Sequence, residues 1–199
     1  MSRDNPRIQI IETATRLFAE HGFHATGVDI IIKESGVAKR TLYRHFPSKE
    51  DLIVAVLKSY NENFCRQVIE KTESGGQPRQ KLLQLFDVVN EWFHEKSFFG
   101  CMFINAIGEY SQKDTEIRTV CKDFKAAIRS YIESLCREAG LLEPEQLAKR
   151  LALLIEGAIV TAQVSQLEDA AVTAKQAAIL LLAAADPQNK TNRLIEPAQ

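Results

Sequence analysis

The sequence predicts an all-α protein with a three-helix N-terminal head and a larger helical C-terminal domain, and three observations carry that prediction. Nine Gly and six Pro in 199 residues leave few helix breakers. Long stretches rich in Ala, Leu, Glu, Lys and Gln favour helices over strands. The breakers also fall at discrete places, Gly22, Gly36, Pro47 and Gly75-Gly76-Gln77-Pro78, so that each periodic apolar run has a stop signal beside it. With 45% hydrophobic residues the chain can bury a substantial core.

Ile10, Ile11, Ala14, Leu17 and Phe18 recur at helical spacing with Glu12, Arg16 and Glu20 opposite them, which gives an amphipathic first helix ended by His21 and Gly22. Thr26-Gly27-Val28-Asp29 has the form of a capping box and is expected to start a second helix with the Thr26 hydroxyl as its cap. Ile30-Ile31-Ile32 would by propensity prefer a strand, but the cap before it and Gly36 after it leave space only for a short helix. Gly36 then turns the chain, Val37 and Leu42 can point inward, and residues 38–46 make a short basic helix. Two short helices joined by a Gly-containing turn, residues 27–46, form a helix-turn-helix.

Pro47 stops that helix, and Ser48 with Asp51 can cap a long one over residues 49–71, whose Leu52, Ala55, Val56 and Phe64 would fasten the head. Residues 4–64 are thus read as a first domain and 65–185 as a second, with helices over 79–96, 102–111, 115–139, 144–167 and 170–185. The polar stretch 186–199 is expected to be a flexible tail.

The net charge of −1 argues against a uniformly basic coat for nucleic acid. The charge is segregated instead: from Val37 to Lys49 the chain carries Lys39, Arg40, Arg44 and Lys49 and no acid, which leaves the remainder net acidic. Cys65, Cys101, Cys121 and Cys136 are too widely spaced for a zinc site or a disulfide scaffold, so free thiols in a reducing compartment are expected. The first residues do not form a signal peptide and no window approaches 18 apolar residues, so a soluble cytoplasmic protein with no membrane partner is expected. There is no nucleophile elbow, phosphate loop, metal-binding His pair or dinucleotide fingerprint, and His94-Glu95 stands alone. No enzyme, cofactor or metal site is therefore expected.

Gly22-Phe23, Thr26, Gly36-Val37, Thr41-Leu42-Tyr43, His45-Phe46 and Ser48-Lys49-Glu50 stand at offsets that resemble the N-terminal pattern of the TetR family of bacterial repressors, over about the first quarter of the chain. The resemblance implies a homodimer that binds near-palindromic double-stranded operator DNA at the bacterial nucleoid and releases it when a small-molecule effector binds the C-terminal domain. It implies that Thr41, Tyr43, His45 and Lys49 contact DNA and that Lys39 and Arg40 face base edges, with Arg44 in the same basic run and Thr26 beside a phosphate. Three positions depart from the family pattern: Ile32 where Ala is usual, Ala38 where Ser often caps, and Arg40 where Gly is frequent. The last puts a long cation on the groove face, so the operator cannot be borrowed from relatives.

By the same resemblance the last two long helices pair with their copies in a second subunit, and the apolar positions read for that role are Leu151, Ile155, Ala158, Ile159, Ala162, Ala178, Leu181 and Leu182. Between the middle helices, where the family binds its inducer, the chain offers Trp92, Phe93, Phe98, Phe99, Phe103, Asn105, Glu109 and Tyr110, which describe a pocket or an ordinary core equally well. Some relatives sense electrophiles or oxidants through a Cys in this region, which makes a switch at Cys101 an alternative to ligand binding, against the reading of an inert buried thiol. A helical enzyme and a helical adapter that has lost DNA binding are the remaining alternatives.

Overall fold

A computed structural model of the chain describes residues 5–110, 115–165 and 169–189. The described residues form α1 (Pro6–His21), α2 (Val28–Ser35), α3 (Lys39–His45), α4 (Lys49–Glu73), α5 (Pro78–Phe93), α6 (Met102–Glu109), α7 (Glu116–Glu138), α8 (Pro144–Ser165) and α9 (Ala170–Ala184), with no strand among them. They divide into two compact units: the described residues up to Phe64 together with Cys101–Phe124, and Cys65–Gly100 together with the described residues from Lys125 onward. The first unit thus takes in α6 and the start of α7, which an N-terminal domain ending at residue 64 did not include.

In the first unit α1 buries Ile10, Ile11, Ala14, Leu17 and Phe18, the stripe its periodicity marks. Asn5 caps it by accepting the Arg7 N–H at 3.0 Å, and Gly22 closes it at φ +85°. The three isoleucines of α2 separate as a helix requires: Ile31 is fully buried while Ile30 is 47% exposed. Leu42 and Phe46 are buried, Val37 nearly so, and together they anchor α3. The Gln9 side-chain amide donates to the Ser35 carbonyl at 2.6 Å and ties α1 to the end of α2.

The expected cap of α2 is corrected here. Gly27 is the N-cap and no side chain caps the helix. Thr26 is 1% exposed, and its hydroxyl turns inward to the carbonyl oxygens of Gly22 at 2.7 Å and Leu17 at 3.2 Å. The hydroxyl meets the last turn of α1 before it can reach the first turn of α2. At α4 the expected cap forms: the Ser48 N–H donates to Asp51 Oδ2 at 2.9 Å and the Asp51 N–H to Ser48 Oγ at 3.1 Å.

The second unit is built on α5, α8 and α9. Leu82, Leu85, Phe86, Val88 and Val89 of α5 are buried, as are Leu147, Leu151, Ile155 and Ile159 of α8. Ala171, Ala174 and Ala178 of α9 let the helices approach closely. Lys175 Nζ lies 2.6 and 2.7 Å from the two carboxylate oxygens of Asp87, joining α9 to α5.

One expectation changes in this unit. Leu151, Ile155, Ala158, Ile159, Ala162, Ala178 and Leu182 are each no more than 8% exposed, and Leu181 is half-buried. Seven of the eight residues assigned to a subunit interface are thus spent inside the chain's own core. The outward apolar side chains of the same two helices are Leu153, Val160 and Val164, and Val172, Ile179 and Leu180, of which Leu153 and Leu180 are each 72% exposed. Two residues of the stretch read as a flexible tail make contacts: Asp186 pairs with Arg79 at 2.5 Å, and the Asn189 side chain donates to the Ala183 carbonyl at 2.7 Å. Residues 190–199 lie outside the described residues.

Candidate nucleic-acid interface

Spacing decides what α3 presents. Leu42 and Phe46, four apart, face inward, and Lys39, Arg40, Tyr43 and Arg44 are all exposed, Tyr43 at 43%. Thr41 and His45 are half-buried at the edges of that face. Nε2 of His45 is buried with no hydrogen-bond partner among the described residues, and its ring lies 6.2 Å from that of Phe46, so this nitrogen is directed into the unit. No side chain caps α3, as Ala38 implies.

Lys39 Nζ donates to Asp29 Oδ1 at 3.1 Å, and this carboxylate raises the ammonium above its ordinary pKa by a hydrogen bond and by charge. Lys49, in the first turn of α4, reaches back so that Nζ donates to the His24 carbonyl at 3.4 Å. Partial burial lowers its pKa, while the charges of Glu50 and Glu109 oppose that shift.

The α1–α2 turn carries residues that sequence reasoning placed elsewhere. Glu109 Oε1 accepts the Phe23 N–H at 2.8 Å and Oε2 accepts the His24 N–H at 2.5 Å. Nε2 of His24 meets the Glu109 carbonyl oxygen at 2.9 Å, and the rings of His24 and Tyr110 stack at 4.6 Å. Glu109 and Tyr110, grouped by sequence with an inducer pocket, are thus committed to the head. They also border a cleft of about 580 Å³ in the first unit with His24, Glu50, Asp51 and Val54.

The other pocket expectations separate as well. Phe103 is 1% exposed and stacks on Phe124 at 3.8 Å, with Tyr60 at 5.8 Å, in the first unit's core. Asn105 is half-buried in the same unit. Trp92, Phe93 and Phe98 form their own cluster in the second unit, with Trp92 and Phe98 edge to face at 4.9 Å, and Phe99 is 40% exposed. Cys101 is a free thiol, 4% exposed. Among the described residues no cluster of His, Cys, Asp and Glu could hold a metal ion, and no helix is long and apolar enough to cross a membrane.

Asp29 and Glu109 are the residues that sequence reasoning missed for this face. Asp29 was absorbed into a cap that does not form, although an acid on α2 ten positions before a lysine on α3 is a usable sign of a pair. Nothing local announces Glu109, whose partners are 85 and 86 residues away.

Comparisons with known proteins agree with this geometry. Residues 10–56 match the family described as "Bacterial regulatory proteins, tetR family", and residues 78–178 match "Tetracyclin repressor-like, C-terminal domain". The HTH-type transcriptional regulator YxaF of Bacillus subtilis is 32% identical over 80% of this chain and 85% of its own length. The HTH-type transcriptional activator FasR of Mycolicibacterium smegmatis is 27% identical over 71% of this chain and 64% of its own. The crystal structure of a TetR-family transcriptional regulator from Streptomyces coelicolor superposes with a TM-score of 0.84 at 25% identity, covering 90% of this chain and 95% of that one. Each of these relatives is named as a transcriptional regulator or activator. The chain belongs to the TetR family of DNA-binding transcriptional regulators.

Proposed function

We propose that this regulator is a ligand-responsive repressor that binds a near-palindromic operator as a homodimer and leaves it when an effector occupies the C-terminal domain. The observation that carries the reading is the outward face of α3, where Lys39, Arg40, Tyr43 and Arg44 stand exposed over buried Leu42 and Phe46. Arg40 and Lys39 are the base readers, since Arg and Lys donate to O6 and N7 of guanine, the commonest specific contact. Tyr43, Thr41, Arg44 and Lys49 address phosphate oxygens and set the register, helped by the uncapped amides at the start of α2. Thr26, with its hydroxyl turned inward, is withdrawn from this set, and His45 contributes through packing.

A seven-residue recognition helix covers little DNA, so two copies on one duplex supply affinity and a two-fold site. The second copy docks on the outward apolar face of α8 and α9. Leu153, Val160 and Val164 share one side of α8 at spacings of seven and four, and Val172 and Ile179 share one side of α9 at a spacing of seven.

For the effector, the Trp92, Phe93 and Phe98 cluster offers half-buried aromatic surface suited to an apolar molecule. Such a molecule lowers operator affinity only by its differential affinity for the state with misplaced heads. The described position of Cys101, almost out of solvent, gives no support to a thiol switch. A regulator at work in the bacterial cytoplasm fits this reading.

Selection of genomic fragments by the purified protein, followed by a reporter driven by the recovered promoter, tests the proposal. Recovery of a short two-fold motif, with the reporter rising when the regulator is removed, supports it. Loss of reporter activity on removal would make the protein an activator, the role named for its relative FasR. Trp92 is the chain's one tryptophan, so its fluorescence reads compounds that restore the reporter.

A further inference from the structure

The turn that leads into α2 receives its shape from a distant residue. Its own hydroxyl, on Thr26, is used on the carbonyl oxygens of Gly22 and Leu17, and the helix that follows has no side-chain cap. The amides of Phe23 and His24 are both taken by the Glu109 carboxylate, at 2.8 and 2.5 Å, from the last turn of α6. Gly22 completes the fit: its φ is +85°, and a Cβ there would stand 3.1 Å from Glu109 Oε1. Phe23 stacks on Phe18 at 4.9 Å and His24 on Tyr110 at 4.6 Å, which sets both side chains of the clamped pair.

Two phosphate-directed groups hang on this turn. One is the start of α2; the other is Lys49, whose Nζ donates to the His24 carbonyl. We propose that Glu109 is a positioning residue for DNA binding: by holding both amides of the α1–α2 turn it fixes the start of α2 and Lys49 in the arrangement that meets the phosphate backbone. The inference rests on the DNA-binding reading of α3 and Lys49 given above. Lys39 and Arg40 take no part in this network, so Glu109 governs affinity for duplexes in general and not the choice of sequence.

The sign of the effect separates this role from simple electrostatics. Removing a carboxylate from a DNA-binding unit ordinarily strengthens binding, because a repulsion with the phosphates is lifted. A positioning role gives the opposite sign, since charge-assisted bonds to two amides are lost and the turn relaxes.

The experiment measures duplex binding by fluorescence anisotropy across a salt series for wild type, Glu109→Ala and Glu109→Gln. It uses a fragment selected by the wild type and an unrelated fragment, with stoichiometric titration giving the active fraction. The expected result is a loss of about tenfold for Glu109→Ala on both fragments and a salt slope flatter by about one. Glu109→Gln, which keeps one acceptor oxygen, falls between. Binding by either folded variant that equals or exceeds wild type, at an unchanged slope, overturns the role of Glu109 alone. Wild type that binds neither fragment overturns the DNA-binding reading together with it.

Discussion

The Lys39 ammonium lies 3.1 Å from Asp29 Oδ1, joining the first turn of α3 to the first turn of α2 on the face read as the DNA side. Both side chains are largely exposed, at 62% and 85%, so the pair contributes little to folding. Its consequence falls on binding, because Asp29 occupies a cation that would otherwise meet the duplex. Asp29→Asn is expected to free Lys39 for guanine O6 and N7 and so to tighten binding to the selected operator more than to an unrelated fragment. Anisotropy titrations on both fragments measure this. Weaker binding to the operator would mean that the pair orients Lys39 and does not occupy it.

Arg40 and Lys49 are assigned different tasks, and two substitutions separate them. Arg40→Ala should lower discrimination at one or two base pairs by about 1–3 kcal/mol each, read by binding to a panel of single-base operator variants. Lys49→Ala should weaken every fragment alike and flatten the salt slope by about one. Equal losses on all variants for Arg40→Ala would remove its base-reading role.

The two faces of α8 and α9 also make opposite predictions. Leu180, 72% exposed, should tolerate Glu as far as folding is concerned while the dimer dissociates, seen as a halved mass in sedimentation with the helical signal kept. Leu182, 1% exposed, should lose about 2–5 kcal/mol of stability when cut to Ala, seen in denaturant unfolding. A dimeric Leu180→Glu would mean that the copies meet elsewhere.

Tyr131 supplies a pH test. Its hydroxyl donates to Glu73 Oε1 at 3.2 Å, and burial, followed by the Glu73 charge, pushes its pKa from 10.0 up to about 12. The folded state therefore favours the protonated phenol. That stabilisation is fully present below pH 10.0, the ordinary value, and is lost as pH rises toward about 12. Thermal melts should show the midpoint falling through this window in wild type and falling less in Tyr131→Phe. Parallel curves would dismiss the contact as a determinant of alkaline stability.

The helices were legible because their punctuation is local: Gly22, Gly36, Pro47 and Gly75-Gly76 act within a few residues of where they stand, and the Ser48–Asp51 cap closes within one turn. Two kinds of feature were not legible. The first is the choice between two apolar faces. α8 and α9 carry Leu, Ile, Val and Ala on more than one side, so periodicity marked Ile155 and Leu182, and only burial distinguishes them from Leu153 and Leu180. The second is a polar contact between residues far apart in sequence. Glu109 resembles any exposed acid at a helix end until the fold brings it to Phe23 and His24. Thr26 failed for a related reason, since its hydroxyl had a nearer acceptor in the preceding helix than donor in the following one.

The most direct test of the central claim is the salt dependence of duplex binding by the purified full-length chain. Two heads that each set at least two cations on phosphates require log K to fall linearly with log salt at a slope of about −4 or steeper. A slope near zero, or no affinity for any duplex at low salt, would contradict the assignment of Lys39, Arg40, Tyr43 and Arg44 to a DNA-facing surface.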